Sequence, residues 1–391
     1  MGKTDQFDII IAGAGAAGLS LLWFLLNSSL RDRSILITDR SFEPVNDKTW
    51  CFWADKNIPY SDLIYHSWSG LEVKANGNVY SDKLEKYGYH CIRSIDHFTM
   101  IYDMAKNHSN VTILESDIKS FSTSGDLAKM DTSKGRFTAP WIFQSAIKPP
   151  ALKQAKKDIS LMQHFIGWEI ETDTPLFNPN TVTLMDFDVT QKNGVSFMYE
   201  LPFGIEKALI EYTLFSGELL DDEEYETELR SYIKEKYGLT PDQYRVSRKE
   251  KGVIPMEDTR YPGWYCNRVM NIGKMGGLTK PTTGYTFTRI HKHCIDIVRA
   301  LENGTEPPES TSSSYRFRVY DIMLLYLLQN HHQTSIEIFN QLFRKNKFDD
   351  ILRFLEEESN LGNELSIFSS LPYMPFFKAI YKMKHRIFTG A

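Results

Sequence analysis

Hydrophobic and polar positions run along this chain in blocks whose period changes several times. Residues 7–12 form a β-branched apolar run, GAGAAG follows at 13–18, and an apolar helical stretch fills 19–26 before Asn-Ser-Ser at 27–29. A second apolar run at 34–39 closes on Asp39, so the pattern predicts a strand–turn–helix–strand unit. Between Ile9 and Leu30 no residue is charged, which imitates a membrane span. Three spaced glycines directly after a strand argue against a span, because a spanning helix gains nothing from them. Short β runs recur at 110–114, 181–185, 195–199 and 208–213, bounded by turn residues. The acidic run DDEEYETE at 221–228 predicts a helix start, where carboxylates suit the helix dipole, and reads as a solvated face. PPESTSSS at 307–314 reads as a loop, and beyond it the period turns helical at 319–329, 334–344 and 348–358.

One position breaks the pattern. Glu211 sits in the middle of the 208–213 strand, among Leu209, Ile210, Leu214 and Phe215. An unpaired carboxylate buried there costs several kcal/mol, roughly, or is driven to its neutral form. Either Lys207 or an arginine pairs with it, or it is held as a protonated acid.

Composition narrows the class. The chain has 391 residues, enough for one large or two entwined domains, with 42% hydrophobic and 24% charged positions, as in a globular protein. A formal charge of -5 gives no nucleic-acid footprint. The aromatic share of 13% suits a large apolar ligand and equally a bulky core. Cys51, Cys91, Cys266 and Cys294 have no metal-ligand spacing, which favours a reducing, cytoplasmic setting over a disulfide framework.

The N-terminal unit carries the dinucleotide fingerprint. Gly13, Gly15 and Gly18 let the backbone approach a pyrophosphate at a helix start, and Asp39, 21 residues after Gly18, can accept from a ribose hydroxyl. A second glycine-rich loop, GKMGGLTKPTTGY at 273–285, follows a strand and opens another helix. Gly273, Gly277, Thr283, Gly284 and Tyr285 are placed there to present N–H groups to the electron-rich edge of a flavin. No second GxGxxG exists for a separate NAD domain, so FAD is the expected cofactor. The expected fold is α/β: a Rossmann-like FAD-binding flavoprotein with an inserted mixed β-sheet substrate domain and a C-terminal helical segment. Its parts fall at 1–142 and 254–310 for the nucleotide domain, 143–253 for the insertion and 311–391 for the helices.

Several stretches, taken in order, resemble the flavin-dependent lycopene cyclases, in particular the bacterial lycopene β-cyclase type. They are GAGAAG at 13–18, NDKTWCFW at 46–53, QHFIGW at 163–168, MDFD at 185–188, YELP at 199–202, LIEYT at 209–213, EKGVIP at 250–255 and the loop at 273–285. The resemblance runs from Phe7 to about Phe377. It departs at PWIFQS, 140–145, where many relatives carry an aspartate and glycines.

The resemblance implies ring closure at the end of a linear carotene, lycopene to β-carotene through γ-carotene, without net redox change. It implies FAD in its reduced form, kept so by NAD(P)H. Glu211 matches the proposed proton donor of the family, with Asp186 and Asp188 as proton acceptor, support or mere turn caps. Trp50, Phe52 and Trp53 would line a polyene tunnel and stabilise a cation through their π faces, or serve as core. Trp168 and Tyr199, in matching motifs, are placed with them against the substrate. The partner is thus a hydrophobic carotenoid. The aromatic and basic tail with Lys378, Lys382, Lys384 and Arg386 predicts peripheral membrane contact, or an ordinary capping helix. A flavin monooxygenase or prenyl reductase of the same fold is the rival enzyme, and a flavin-bearing carotenoid carrier the rival non-enzyme.

Overall fold

Ile9–Ala12 pairs in parallel with Ile35–Asp39, and the helix Ala16–Leu26 joins them, so the βαβ unit forms as its pattern predicts. The computed structural model describes residues 4–55, 58, 60–153, 158–310 and 313–388. The nucleotide sheet has six strands in the order Trp264–Cys266, Val269–Asn271, Trp141–Gln144, Ile9–Ala12, Ile35–Asp39, Val111–Glu115. Alternation along Ile9–Ala12 sends Ile9 and Ile11 toward the helices Ala16–Leu26 and Phe287–Glu302. Ile10 and Ala12 face the opposite way, onto Phe121, Met130 and Phe137 of a four-stranded sheet. This uncharged segment is therefore apolar because it is covered on both faces.

Gly18 fixes how the first helix meets its turn. A Cβ there would overlap the carbonyl oxygen of Gly13, whose own φ of 113° is open to glycine and strained for other residues. The helix N-terminus can thus lie directly against the loop.

The second layer is a seven-stranded sheet in the order Tyr244–Glu257, Ser160–Thr172, Lys207–Ser216, Val195–Pro202, Thr181–Asp186, Gly70–Ala75, Asn78–Lys83. Its last two strands come from the first segment of the chain. This second sheet is therefore built from two stretches, where the sequence predicts one insertion at 143–253. Trp141–Gln144 stays with the nucleotide sheet, and the long strand Tyr244–Glu257 returns the chain to it.

Each face of this sheet meets a different partner. Ala208, Ile210, Tyr212 and Leu214 pack on Tyr225, Leu229 and Ile233 of the helix Asp222–Tyr237. That helix begins in a capping box between Asp221 and Glu224, so its acidic start is a cap as well as a solvated face. Leu209, Phe215 and Phe197 face the other way, toward Ile322, Leu325, Ile336 and Phe343 of the C-terminal helices. These helices are Tyr315–Asn330, His332–Lys345, Phe348–Leu355, Leu361–Ser369 and Tyr373–Phe388. Among the described residues, no helix is long and apolar enough to cross a membrane.

Gly18→Ala should separate helix and turn and destabilise the protein by about 1–3 kcal/mol, the usual range for overpacking. Urea unfolding of the purified protein checks this, and an unchanged midpoint would show that the turn can relax.

Candidate active site

Where the two sheets and the C-terminal helices meet, they enclose a cavity of about 990 Å³. Ala14, Gly15, Asp39 and Gly273 line one end, and Leu342, Phe368, Leu371 and Phe376 the other. Trp50, Cys51, Trp53, Tyr199, Glu211, Glu250 and Tyr285 lie along its middle.

The glycine end fits a dinucleotide. The first turn of the helix Ala16–Leu26 has no side-chain cap and no acidic residue, which leaves its N–H groups for a ligand. Space is open beside Gly15, where a Cβ would meet no atom within 4 Å. Asp39 accepts from the Ala14 N–H at 2.6 Å and so anchors the turn while reaching the cavity. Gly273, at a φ of 60°, brings the second loop against Ala17, whose Cβ would lie 2.7 Å from an added Cβ. Thr283, Gly284 and Tyr285 border the same space. Burial lowers the Lys274 ammonium in this wall, and the nearby charge of Lys48 acts in the same direction. Lys274 beside free N–H groups makes this end receptive to an anion, while Lys48 is paired with Asp47. FAD matches this donor set.

The acid end is organised by strand register. Glu250, Gly167, Glu211 and Tyr199 are cross-strand neighbours on four adjacent strands, forming one row across the sheet. Side chains alternate faces, so this row and Phe165, Thr213 and Phe215 look into the cavity. Glu211 is only 6% exposed. Lys207 binds Glu169 at 2.7 Å and Glu171 at 3.2 Å instead of Glu211. Arg248 binds Glu169 at 3.0 Å and also Glu250. Glu211 is thus left with no ion-pair partner among the described residues, and the alternative of a pair with Lys207 falls. Burial, and then the charge of Glu250, push its carboxyl well above the usual range.

Aromatic groups complete the middle of the cavity. The Tyr89 hydroxyl bonds those of Tyr199 at 2.7 Å and Tyr285 at 2.6 Å, tying three elements together behind the wall. Burial raises all three phenols above their ordinary value, so they serve as neutral hydroxyls. Trp53 meets Tyr285 edge-on at 4.5 Å, and Trp50 stacks on Phe287 at 5.4 Å.

Other expected site residues lie elsewhere. Asp186 faces the helix Asp222–Tyr237, where it accepts from Tyr232 at 3.0 Å and pairs with Lys74 at 3.5 Å. Asp188 accepts from the Gly77 N–H at 3.1 Å, so its role there is a turn cap. Trp168 is one residue from Gly167 and therefore points to the opposite face, beneath Lys249 and Arg230. Phe52 is buried against Phe287 and His90, as core. Gly277 packs under Tyr261 and shapes the loop from behind, while Gly13 and Gly18 act through the turn as described.

A family model described as "Lycopene cyclase protein" matches residues 8–381. The chain belongs to the lycopene cyclase family. It is 24% identical to a lycopene beta-cyclase from a Paracoccus species over 398 aligned residues, covering 97% of each chain. With a lycopene beta-cyclase from Pantoea ananas it shares 25% identity over 293 residues, covering 72% of this chain and 71% of the relative. Among solved structures it is similar to a geranylgeranyl bacteriochlorophyll reductase-like protein from Thermoplasma acidophilum, with a TM-score of 0.58 and 10% identity, over 98% and 99% of the two chains. A variant of the halogenase PltM in complex with FAD gives a TM-score of 0.55 at 13% identity, over 97% of this chain and 84% of that one. The fold of this family member is that of FAD-binding flavoproteins.

Sequence reasoning missed Glu250, Arg248, Gly167, Tyr89 and Lys274 as parts of the site. Gly167 had a signal, since glycine inside a strand marks a close approach. The others needed the register or the fold to bring them in.

Asp186→Asn should weaken the contacts to Lys74 and Tyr232 and lower stability by about 1–3 kcal/mol, as for a buried charged acceptor. Its FAD retention should equal that of the parent in a flavin-release assay, because it lies outside the cavity.

Proposed function

We propose that this chain is an FAD-dependent lycopene β-cyclase that converts lycopene to β-carotene through γ-carotene, an intramolecular lyase reaction without net redox change. The observation that carries this reading is a buried carboxyl, Glu211, with no ion-pair partner among the described residues, in the wall of a large and mostly apolar cavity. Protonating an alkene needs an acid that keeps its proton in a dry site, since water would quench the cation. The Glu211 O–H gives its proton to the terminal double bond, the neighbouring double bond closes the ring, and loss of a proton completes the isomerisation. Trp50, Trp53 and the neutral phenol of Tyr285 present π faces and hydroxyls rather than bases, which suits a cation. Ala14, Gly15, Asp39, Gly273 and Gly284 would hold FAD, whose reduced form, maintained by NAD(P)H, supplies negative charge beside the cation without electron transfer to product.

The cavity also supports peripheral membrane attachment. Phe368, Leu371 and Phe376 line its far end, while Leu361, Leu365, Tyr373, Met374, Phe377 and Tyr381 of the same helices face outward and are exposed. Lys378, Lys382 and Lys384 are exposed beside them, in position for lipid head groups. Arg386 is not part of this face, since it is buried against Asp258 at 2.5 Å. Ala379, Met383 and Ile387 hold the last helix to the fold, so removing the tail would strip core. Replacing Tyr373, Met374, Phe377 and Tyr381 together by Ser should abolish sedimentation with liposomes and leave the melting temperature close to the parent's. Retained sedimentation would remove this face from the reading.

In a lycopene-making host the parent should yield cyclised pigment of unchanged mass, and Glu211→Gln about a hundredfold less or lower still. A product of altered mass, or reductant consumed one-for-one with rings, would favour a monooxygenase or prenyl reductase. Stability gives an independent check. Folding raises the Glu211 carboxyl, so the parent loses stability as pH rises above the unfolded value of about 4.3. The Gln variant lacks that loss, and urea midpoints of the two should diverge in its favour between acid and neutral pH.

A further inference from the structure

Glu250 sits two strands from Glu211 in the same cross-strand row, both line the cavity, and after burial its charge does most to raise the Glu211 carboxyl. Gly167 stands between them in the row. A Cβ on Gly167 would lie 2.7 Å from Glu211 Cγ and 3.2 Å from its Oε1. Any other residue would press on the Glu211 side chain, in the one position that separates it from Glu250 along the row. Glu250 is fixed from its far side: it accepts from the Thr49 hydroxyl at 2.8 Å and from Arg248, which itself donates to Thr49 at 2.9 Å.

The groups that face Glu211 are few. From the Glu250 strand come Glu250 and Arg248, from the strand Thr49–Ala54 comes Cys51, and from the Tyr199 strand Tyr199, with Tyr285 close by and Tyr89 behind. Burial pushes the Cys51 thiol and the three phenols upward, so they are neutral. The charged neighbours are Arg248 and Glu250, and Arg248 is engaged by Glu250 and Glu169.

We propose that Glu250 is a positioning residue that shares one proton with Glu211 across the gap at Gly167, holding Glu211 as the neutral acid and facing the cation formed when the proton leaves. This rests on the reading of Glu211 as proton donor. Before transfer the pair carries one negative charge; when the Glu211 O–H bond breaks and a C–H bond forms, it carries two, beside a substrate bearing one positive charge. The same carboxylate therefore retains the proton while the site is empty of a cation and attracts the cation once it exists. A raised carboxyl alone would be a reluctant donor, and the second charge offsets that reluctance.

The test is infrared spectroscopy of the FAD-loaded protein across pH, reading the protonated-carboxyl band that Glu211→Gln removes. In the parent this band should persist through neutral pH. In Glu250→Gln it should titrate away about one pH unit lower or more, because a like charge has gone and Arg248 keeps only Glu169 as an ion-pair partner. Gly167→Ala, which wedges the pair apart, should shift the band in the same direction. With lycopene, the alkaline limb of the activity profile should move with the band, and maximal turnover should fall. A band that titrates alike in parent and in either variant overturns the proposal, as does a neutral-pH parent without it; a role in packing alone would lower the melting temperature and leave the titration in place. The band is read without substrate, so a shifted band without lycopene turnover would uphold the pair and fail the assigned substrate.

Discussion

A carboxyl is driven toward its neutral form where water cannot solvate its anion and no cation pairs with it, and much of this fold brings that about at Glu211. Among the described residues, the cations near it are engaged elsewhere: Lys207 by Glu169 and Glu171, Arg248 by Glu169 and Glu250. The sheet is covered on its other face by the helix Asp222–Tyr237, and on the cavity side by the C-terminal helices. Remove the cover on the cavity side and water reaches Glu211, which would bring its carboxyl back toward the usual range.

The same sheet couples this acid to the flavin end. Gln163 and Glu211 look into one cavity from neighbouring strands, and Gly284, in the second glycine loop, approaches the Gln163 side chain so closely that an added Cβ would sit 2.9 Å from its Oε1. The phenol chain Tyr199–Tyr89–Tyr285 ties the strand beside Glu211's to that loop through the buried Tyr89. The buried acid and the second glycine loop are thereby held by one continuous set of contacts. The ring closure proposed for this site would need such fixed placement, because a carbocation is not confined by strong bonds of its own.

Much of the site was legible from the chain. The strand at 7–12, the glycines, Asp39 and the second loop could be read because nucleotide binding relies on backbone N–H groups within a few residues of one another. Glu211 announced itself by being ionisable inside an apolar strand. Asp186 and Trp168 misled for a common reason: short acidic and aromatic motifs do not reveal which face of a sheet they occupy, and a one-residue step reverses it.

What the sequence determined by itself was therefore local: the βαβ unit, the helical tail, the absence of a spanning helix in the N-terminal run, and the anomaly at Glu211. These depend on period and on turn chemistry over short distances. Only the tertiary structure decided that Glu250, 39 residues beyond Glu211, shares its row, and that the hairpin at 70–83 joins the same sheet. It also decided that Lys207 turns to Glu169 and not to Glu211. Strand order and register are set by the packing of whole faces against helices far along the chain, and no short stretch carries that information.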